Sequence, residues 1–108
     1  GGGSHIIDLN DPANPTFAGC FAHEGTGRSG TGYTHDIQVV VYNGPDEQYK
    51  GREIAFSSNE TALSIADLTD KLNPKIISKY DGSNFGYVHQ GWLTEDQKYF
   101  IVNDELNE

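Results

Sequence analysis

Residues 5–17, HIIDLNDPANPTF, recur 59 positions later as residues 64–76, SIADLTDKLNPKI, and this repeat decides the predicted fold. In both copies a short apolar segment precedes an Asp-Leu pair, and Asp-x-x-Asn-Pro follows. The apolar segments have the composition and the turn boundaries of β-strands. We expect the side chains of Asp11 and Asp70 to accept backbone N–H bonds two residues on, while each proline starts the next extended segment. Each copy therefore predicts a strand, a tight turn and a second strand.

A second block repeats as well, because residues 32–36, GYTHD, return 54 positions later as residues 86–90, GYVHQ. No stretch of ten or more residues shows the period of a capped helix. Four short strands in a repeat of roughly 40 to 60 residues are typical of a β-propeller blade. We predict an all-β fold with about eight strands, a β-propeller fragment of about two four-stranded antiparallel blades. One blade would end at 5–21, a complete blade would occupy 33–80, and a third would start at 86–108.

Charge and length exclude several classes of protein. The chain has 108 residues, 16 acidic and 7 basic side chains, a net charge of −9 and a single cysteine. Nucleic-acid binding needs clustered lysine and arginine, so it is not expected. No run of about 18 apolar residues exists, so this segment is not expected to insert into a membrane. The chain starts without methionine and stops after a strand-like segment, and we expect a piece of a longer protein whose remaining blades are its partners.

Seven short motifs carry a resemblance to a known family. They are YTHD at 33–36, GPD at 44–46, GREI at 51–54, SNE at 58–60, DLTD at 67–70, NP at 73–74 and HQGWLTED at 89–96. The chain resembles, from His5 to Glu108, the LVIVD-repeat, choice-of-anchor B family of secreted or surface β-propellers. The resemblance implies a much longer parent chain and an extracellular or cell-surface location. It implies no reaction, because the family has no established activity.

The candidate site is the histidine pair of the second repeat. His35 and His89 each follow Gly-Tyr and one further residue, and the first strand of each propeller blade lines the central channel, so both imidazoles could face one axial site. Imidazoles with nearby carboxylates are common metal ligands, and Asp36, Asp104 and Glu105 are the candidate oxygen donors. The ion is left open as calcium or a transition metal. The more common role of a polar residue that repeats in every blade is a hydrogen bond between strands or loops.

Other motifs receive structural interpretations. We expect His5 and His23 at the surface, Cys20 as a small buried hydrophobe, and Trp92 in the packing between blades. Residues 25–30, GTGRSG, satisfy G-x-G-x-x-G, but a strand rather than a helix follows. The pattern is therefore interpreted as a flexible loop and not as a dinucleotide site.

Two classes of function remain open. The favoured one is a binding scaffold whose loops contact a protein or glycan partner, since propeller loops can vary while the sheets stay fixed. The alternative is a metal-dependent hydrolase or lyase, with His35 and His89 as ligands and Asp36 or Glu105 assisting. No nucleophile elbow of the G-x-S-x-G type is present. Asn59 opens an N-x-T sequon at an expected hairpin tip, which matters only in a secreted eukaryotic protein.

Overall fold

A computed structural model describes residues 2–106, which form eight strands in three antiparallel sheets and one turn of 3₁₀ helix at Glu47–Tyr49. The strands are β1 (Ser4–Asp8), β2 (Thr16–Phe21), β3 (Asp36–Val41), β4 (Glu53–Ser58), β5 (Leu63–Asp67), β6 (Lys75–Tyr80), β7 (Val88–Leu93) and β8 (Phe100–Asp104). We call β1–β2 the N-terminal sheet, β3–β6 the central sheet and β7–β8 the C-terminal sheet.

The all-β, antiparallel prediction is confirmed, and residues 2–106 form no closed ring of blades. Gly1 lies outside the described residues, and so do Asn107 and Glu108, the last two residues of the predicted third blade. No helix within the described residues is long and apolar enough to span a bilayer.

The first sequence repeat is also a repeat in strand pairing. Ser4 pairs with Phe21 in the N-terminal sheet, and Leu63 pairs with Tyr80 in the central sheet, 59 residues further on. A β-bulge interrupts both pairs at the same place, after Ile6 in β1 and after Ile65 in β5. Because a bulge changes the register by one residue, its recurrence shows that both copies adopt the same local structure.

Both Asp-x-x-Asn-Pro turns form as predicted. Asp70 accepts the backbone N–H of Leu72 at 3.1 Å and the side-chain amide of Asn73 at 3.0 Å. Asp11 makes the equivalent two hydrogen bonds, to the residues two and three positions on. The hydrogen bonds to Asp70, first the one from the Asn73 side chain and then the one from the Leu72 backbone, lower the pKa of its carboxyl. Each carboxylate is thus used inside its own turn, as an Asx turn requires.

The central sheet is buried on both faces along β4 and β5. Successive residues of a strand point to opposite faces, so Ala55 joins a cluster with Phe21 of β2, whereas Phe56 faces the C-terminal sheet. The Phe56 ring stacks on Phe100 of β8, with ring centroids 5.3 Å apart. The buried residues of the two clusters are Phe21, Ala55, Ala66 and Leu68 on one face and Ile54, Phe56, Leu63 and Leu93 on the other. The three sheets therefore stack face to face.

Two side chains that were predicted to be buried are exposed. Cys20 is exposed, because the two-residue period of β2 turns it outward between the buried Gly19 and Phe21. Trp92 is 66% exposed. It lies on the outer face of β7, next to the inward-facing Leu93, and no other sheet of the described chain packs on that face. The predictions that Cys20 is buried and that Trp92 packs between sheets are wrong for this structure.

The glycine-rich loop between β2 and β3 is anchored to the β4–β5 turn. Gly27 lies in the left-handed region at φ +82°, and its N–H donates to the hydroxyl of Thr61 at 2.9 Å. The buried Asn59 donates its side-chain N–H to Thr26 at 2.9 Å. The sequon asparagine therefore lies inside the protein, with its amide nitrogen engaged.

His23, at the start of the same loop, is buried rather than at the surface as predicted. Its Nδ1 lies 2.8 Å from the hydroxyl of Ser64 on β5. Burial lowers the pKa of the His23 imidazole, because the charged form loses its hydration. His5, in contrast, is exposed on β1 as expected.

Candidate metal centre

Three of the five predicted ligands lie together where the central and C-terminal sheets meet. Candidate ligand atoms of His35, His89 and Glu105 are all within 4.8 Å of one another. His35 directly precedes β3, His89 is the second residue of β7, and Glu105 directly follows β8. Because β3 packs beside β7 and β7 pairs with β8, strands far apart in sequence deliver these side chains to one place.

The His35 ring is fixed by hydrogen bonds on its backbone and its side chain. Its backbone N–H donates to the carbonyl of Ser58 at 2.8 Å. Its Nδ1 lies 2.9 Å from the backbone carbonyl of His89. A carbonyl only accepts, so Nδ1 carries the proton and the neutral ring has its lone pair on Nε2. The predicted hydrogen-bonding role is therefore present, and it leaves Nε2 available as a ligand.

His89 is the extra residue of a β-bulge. Val88 pairs with Asp104 and Gln90 with Asn103, so His89 has no partner across the strand pair. Bulges redirect a side chain and are frequent beside functional sites. The Nδ1 of His89 is buried and 3.1 Å from Glu105 Oε2, yet it makes no aligned hydrogen bond. His89 Nδ1 and Glu105 Oε2 are therefore close together, but they are not joined by a hydrogen bond.

Glu105 contributes the carboxylate nearest to the histidines. Its backbone N–H donates to the carbonyl of Tyr87 at 2.9 Å, which holds the start of the segment after β8 against the segment before β7. Its side chain is 51% exposed. The carboxylate therefore lies between the buried edge of His89 and solvent.

The structure does not bring the other two predicted oxygen donors into the cluster. Asp104 accepts the backbone N–H groups of Gly86 at 2.6 Å and of Tyr87 at 2.9 Å, one on each carboxylate oxygen. Asp36 is exposed and lines an open pocket of about 300 Å³ with Trp92 and other residues of β7 and β8. Asp104 thus caps the turn before β7, and Asp36 belongs to a different surface.

Aromatic rings surround the histidine pair. Tyr33 and Tyr87 each meet the His35 ring edge to face, with centroids 6.4 and 5.5 Å away, and the two imidazole centroids are 4.5 Å apart. Loss of hydration, followed by a hydrogen bond to the Glu60 carboxylate, raises the pKa of the Tyr87 phenol. Tyr33 stands two residues before His35, so the Gly-Tyr-x-His motif contains this contact, whereas the contact of Tyr87 with His35 joins the two copies of the repeat.

Arg28 is a neighbour that sequence reasoning missed. Its guanidinium lies 4.7 Å from the centre of the Tyr87 ring and donates to the carbonyl of Gly86, 58 residues away. Its backbone N–H donates to Glu60 at 2.8 Å. These contacts join residues far apart in the sequence, so no local sequence pattern predicts them.

The cluster offers two imidazole nitrogens and one carboxylate oxygen at a partly open surface. Such a donor set can hold a borderline-soft divalent cation. Comparisons of this chain with protein-family models, with curated proteins and with solved structures gave no match.

Proposed function

We propose that this chain is part of a secreted or cell-surface β-propeller that acts as a binding scaffold, as its resemblance to the LVIVD-repeat, choice-of-anchor B family implies. One observation supports the proposal most: the central four-stranded sheet is covered on one face by β1–β2 and on the other by β7–β8. Blades of a propeller stack in this radial way. The shared register and bulge of β1–β2 and β5–β6 add support, since propeller blades are repeats.

The two ends of the central sheet differ in a way that favours binding at one of them. The end at which β3 starts carries the glycine-rich loop, the β4–β5 turn and the histidine cluster. The opposite end carries the β3–β4 loop, which contains the 3₁₀ turn, and the β7–β8 hairpin; the loop meets the hairpin where Asn43 N–H donates to Gln97. The glycine-rich loop is anchored, so a partner that binds it pays little ordering entropy, and this end also offers two imidazoles and a carboxylate as polar contacts. We place the contact surface for a protein or glycan partner at the first end.

Binding can be tested with matched variants at the two ends. Glycan arrays and protein arrays would be screened with the chain, and each hit measured by surface plasmon resonance. Arg28→Ala with Ser29→Ala changes exposed residues of the glycine-rich loop. Glu47→Ala with Lys50→Ala changes the first residue of the 3₁₀ turn and the residue that follows it, both of them exposed. We expect the first pair to weaken binding and the second to leave it unchanged. Hits that bind both double variants as tightly as the parent chain, or an array without saturable binding, would contradict the proposal.

The alternative function, a metal-dependent hydrolase or lyase, is favoured by the open side of the histidine cluster. Catalytic zinc sites have three protein ligands and leave a fourth position for water or substrate. His35, His89 and Glu105 make three, and two of them are exposed. Hydrolysis of activated ester and phosphodiester substrates by the zinc-loaded chain, lost in a His89→Ala variant, would support this alternative. Turnover that equals free zinc would reject it.

A further inference from the structure

We propose that His35, His89 and Glu105 bind one divalent transition-metal ion of the zinc class between the central and C-terminal sheets. The proposal goes beyond the scaffold function and does not depend on it. It rests on four features of the described residues: the donor set, the distances, the bulge at His89 and the buried nitrogen that lacks a hydrogen bond.

The distances between the three ligand atoms suit their binding to one shared metal ion. Tetrahedral zinc with bonds of about 2.0–2.1 Å keeps its ligand atoms roughly 3.3 Å apart. His89 Nδ1 and Glu105 Oε2 are already 3.1 Å apart. His35 offers Nε2, because its Nδ1–H is donated to the His89 carbonyl. Such a hydrogen bond on the second ring nitrogen orients a metal-bound histidine and raises its basicity. All three ligand atoms are within 4.8 Å of one another, and the exposed Glu105 side chain can shift toward His35 while the His35 hydrogen bond stays in place.

A plain ion pair explains the contact between His89 and Glu105 less well. An imidazolium would direct its N–H at the carboxylate oxygen, whereas Nδ1 here is close to Oε2 without hydrogen-bond alignment. A buried polar nitrogen without a partner costs stability. A metal ion bound by both His89 Nδ1 and Glu105 Oε2 explains why these atoms are close together and yet are not aligned for a hydrogen bond.

The donor types select the class of ion. Calcium takes six to eight oxygen ligands, and two of the three donors here are imidazoles. Imidazole suits zinc, copper and nickel. The chain carries a net charge of −9, so uptake of a dication reduces rather than increases its self-repulsion. Of the two ions that the sequence left open, these donors favour the transition metal.

A bound ion would join two sheets. His35 directly precedes β3 of the central sheet, whereas His89 lies on β7 and Glu105 directly follows β8 of the C-terminal sheet. Any ligand that binds only the folded state stabilises it. Zinc should therefore raise the melting temperature, and the gain should disappear when a ligand is removed from either sheet.

Calorimetric titration of the chelator-treated chain with zinc chloride tests the proposal. We expect one ion per chain, and a weakening of at least about 100-fold in His89→Ala, since even outer-sphere changes weaken metal affinity roughly 10–100-fold. Glu105→Gln should also weaken binding, and its exposed side chain makes this substitution safe for the fold. His5→Ala is the matched control, because His5 is exposed on the N-terminal sheet, outside the cluster. Circular dichroism would verify that each variant is folded.

Cobalt provides an independent readout, because its visible spectrum reports the number and type of its ligands. The cobalt-loaded parent chain should show a low-coordinate nitrogen–oxygen spectrum that zinc abolishes, and calcium should not compete. Absence of one-to-one zinc binding at millimolar zinc would overturn the proposal. So would folded His89→Ala and Glu105→Gln variants that bind zinc as tightly as the parent chain. Either result would leave partner binding at the loops untouched, so the two proposals can fail separately.

Discussion

Truncation of Phe56 to alanine should destabilise the chain severely, because this ring joins two of the three sheets. Phe56 is 6% exposed and stacks on Phe100 with an interplanar angle of 14°. Phe→Ala in a packed core costs about 3–5 kcal/mol, of which an aromatic pair supplies about 0.5–1.5 kcal/mol. A chain of this size has a free energy of unfolding of only about 5–15 kcal/mol. We therefore expect a fall in melting temperature of roughly 12 °C or more.

Urea unfolding measures this effect with two probes. Trp92 is the only tryptophan of the chain and lies on β7, so its fluorescence reports on the C-terminal sheet. Far-ultraviolet circular dichroism reports on all three sheets, and coincident transitions would show two-state unfolding. In a cycle of Phe56→Leu and Phe100→Leu, the coupling energy should be about 0.5–1.5 kcal/mol.

Phe17→Ala is the matched control, because Phe17 is 63% exposed on β2. Its removal should cost no more than about 0.5 kcal/mol. If both alanine variants lose the same free energy, or if Phe56→Ala loses less than about 1 kcal/mol, the packing of the C-terminal sheet on the central sheet is refuted.

Three further predictions concern buried polar groups. Burial lowers the pKa of His23 below its ordinary value of 6.5, so its contribution to stability is full above that pH and is lost as the pH falls. His23→Asn should therefore show a smaller loss of unfolding free energy than the parent chain between about pH 7.5 and 5.5. Asn59→Ala should cost about 1–3 kcal/mol in urea unfolding, because the buried Thr26 hydroxyl loses its donor. For Asp67, burial alone would raise the pKa, but hydrogen bonds, first that from Thr69, lower it below 3.8. The stability that this carboxylate supplies is present above that pH and is lost as the pH falls through its folded value, so Asp67→Asn should flatten the acid limb of the stability profile.

Each of these predictions has a result that contradicts it. If His23→Asn loses as much unfolding free energy between the two pH values as the parent chain does, another group causes that loss. Asn10→Ala, at an exposed position, should cost less than about 0.5 kcal/mol, and an Asn59→Ala variant equally mild would mean that the Asn59 side chain is not buried. An acid limb in Asp67→Asn as steep as that of the parent chain would remove Asp67 from the explanation.

Local determinants made most of the fold predictable. The turns at Asp11 and Asp70 form from residues at most three positions apart, so their sequence contains everything that the hydrogen bonds need. The strands follow from β-branched segments between such turns. The repeat at an offset of 59 extended this local information, and the bulges after Ile6 and Ile65 confirm that it reflects structure.

Side-chain environments that depend on distant strands were not predictable. The sequence around His23 resembles a surface loop, and its burial depends on Ser64, 41 residues away. The cluster takes Glu105 and not Asp104, because the amides of Gly86 and Tyr87 occupy both oxygens of Asp104. The bulge that turns His89 toward Glu105 has no signature in the repeat, since GYTHD and GYVHQ match residue for residue in spacing.

The central claim is that the N-terminal and C-terminal sheets pack on opposite faces of the central sheet, and that the second of these contacts brings His35 to His89. Nuclear Overhauser spectra of the labelled chain without metal test it most directly. The account predicts cross-peaks between Phe56 and Phe100 across one interface, between Phe21 and Ala55 or Ala66 across the other, and between the two imidazoles, whose centroids are 4.5 Å apart. Cross-peaks within each sheet, with none between sheets, would contradict it.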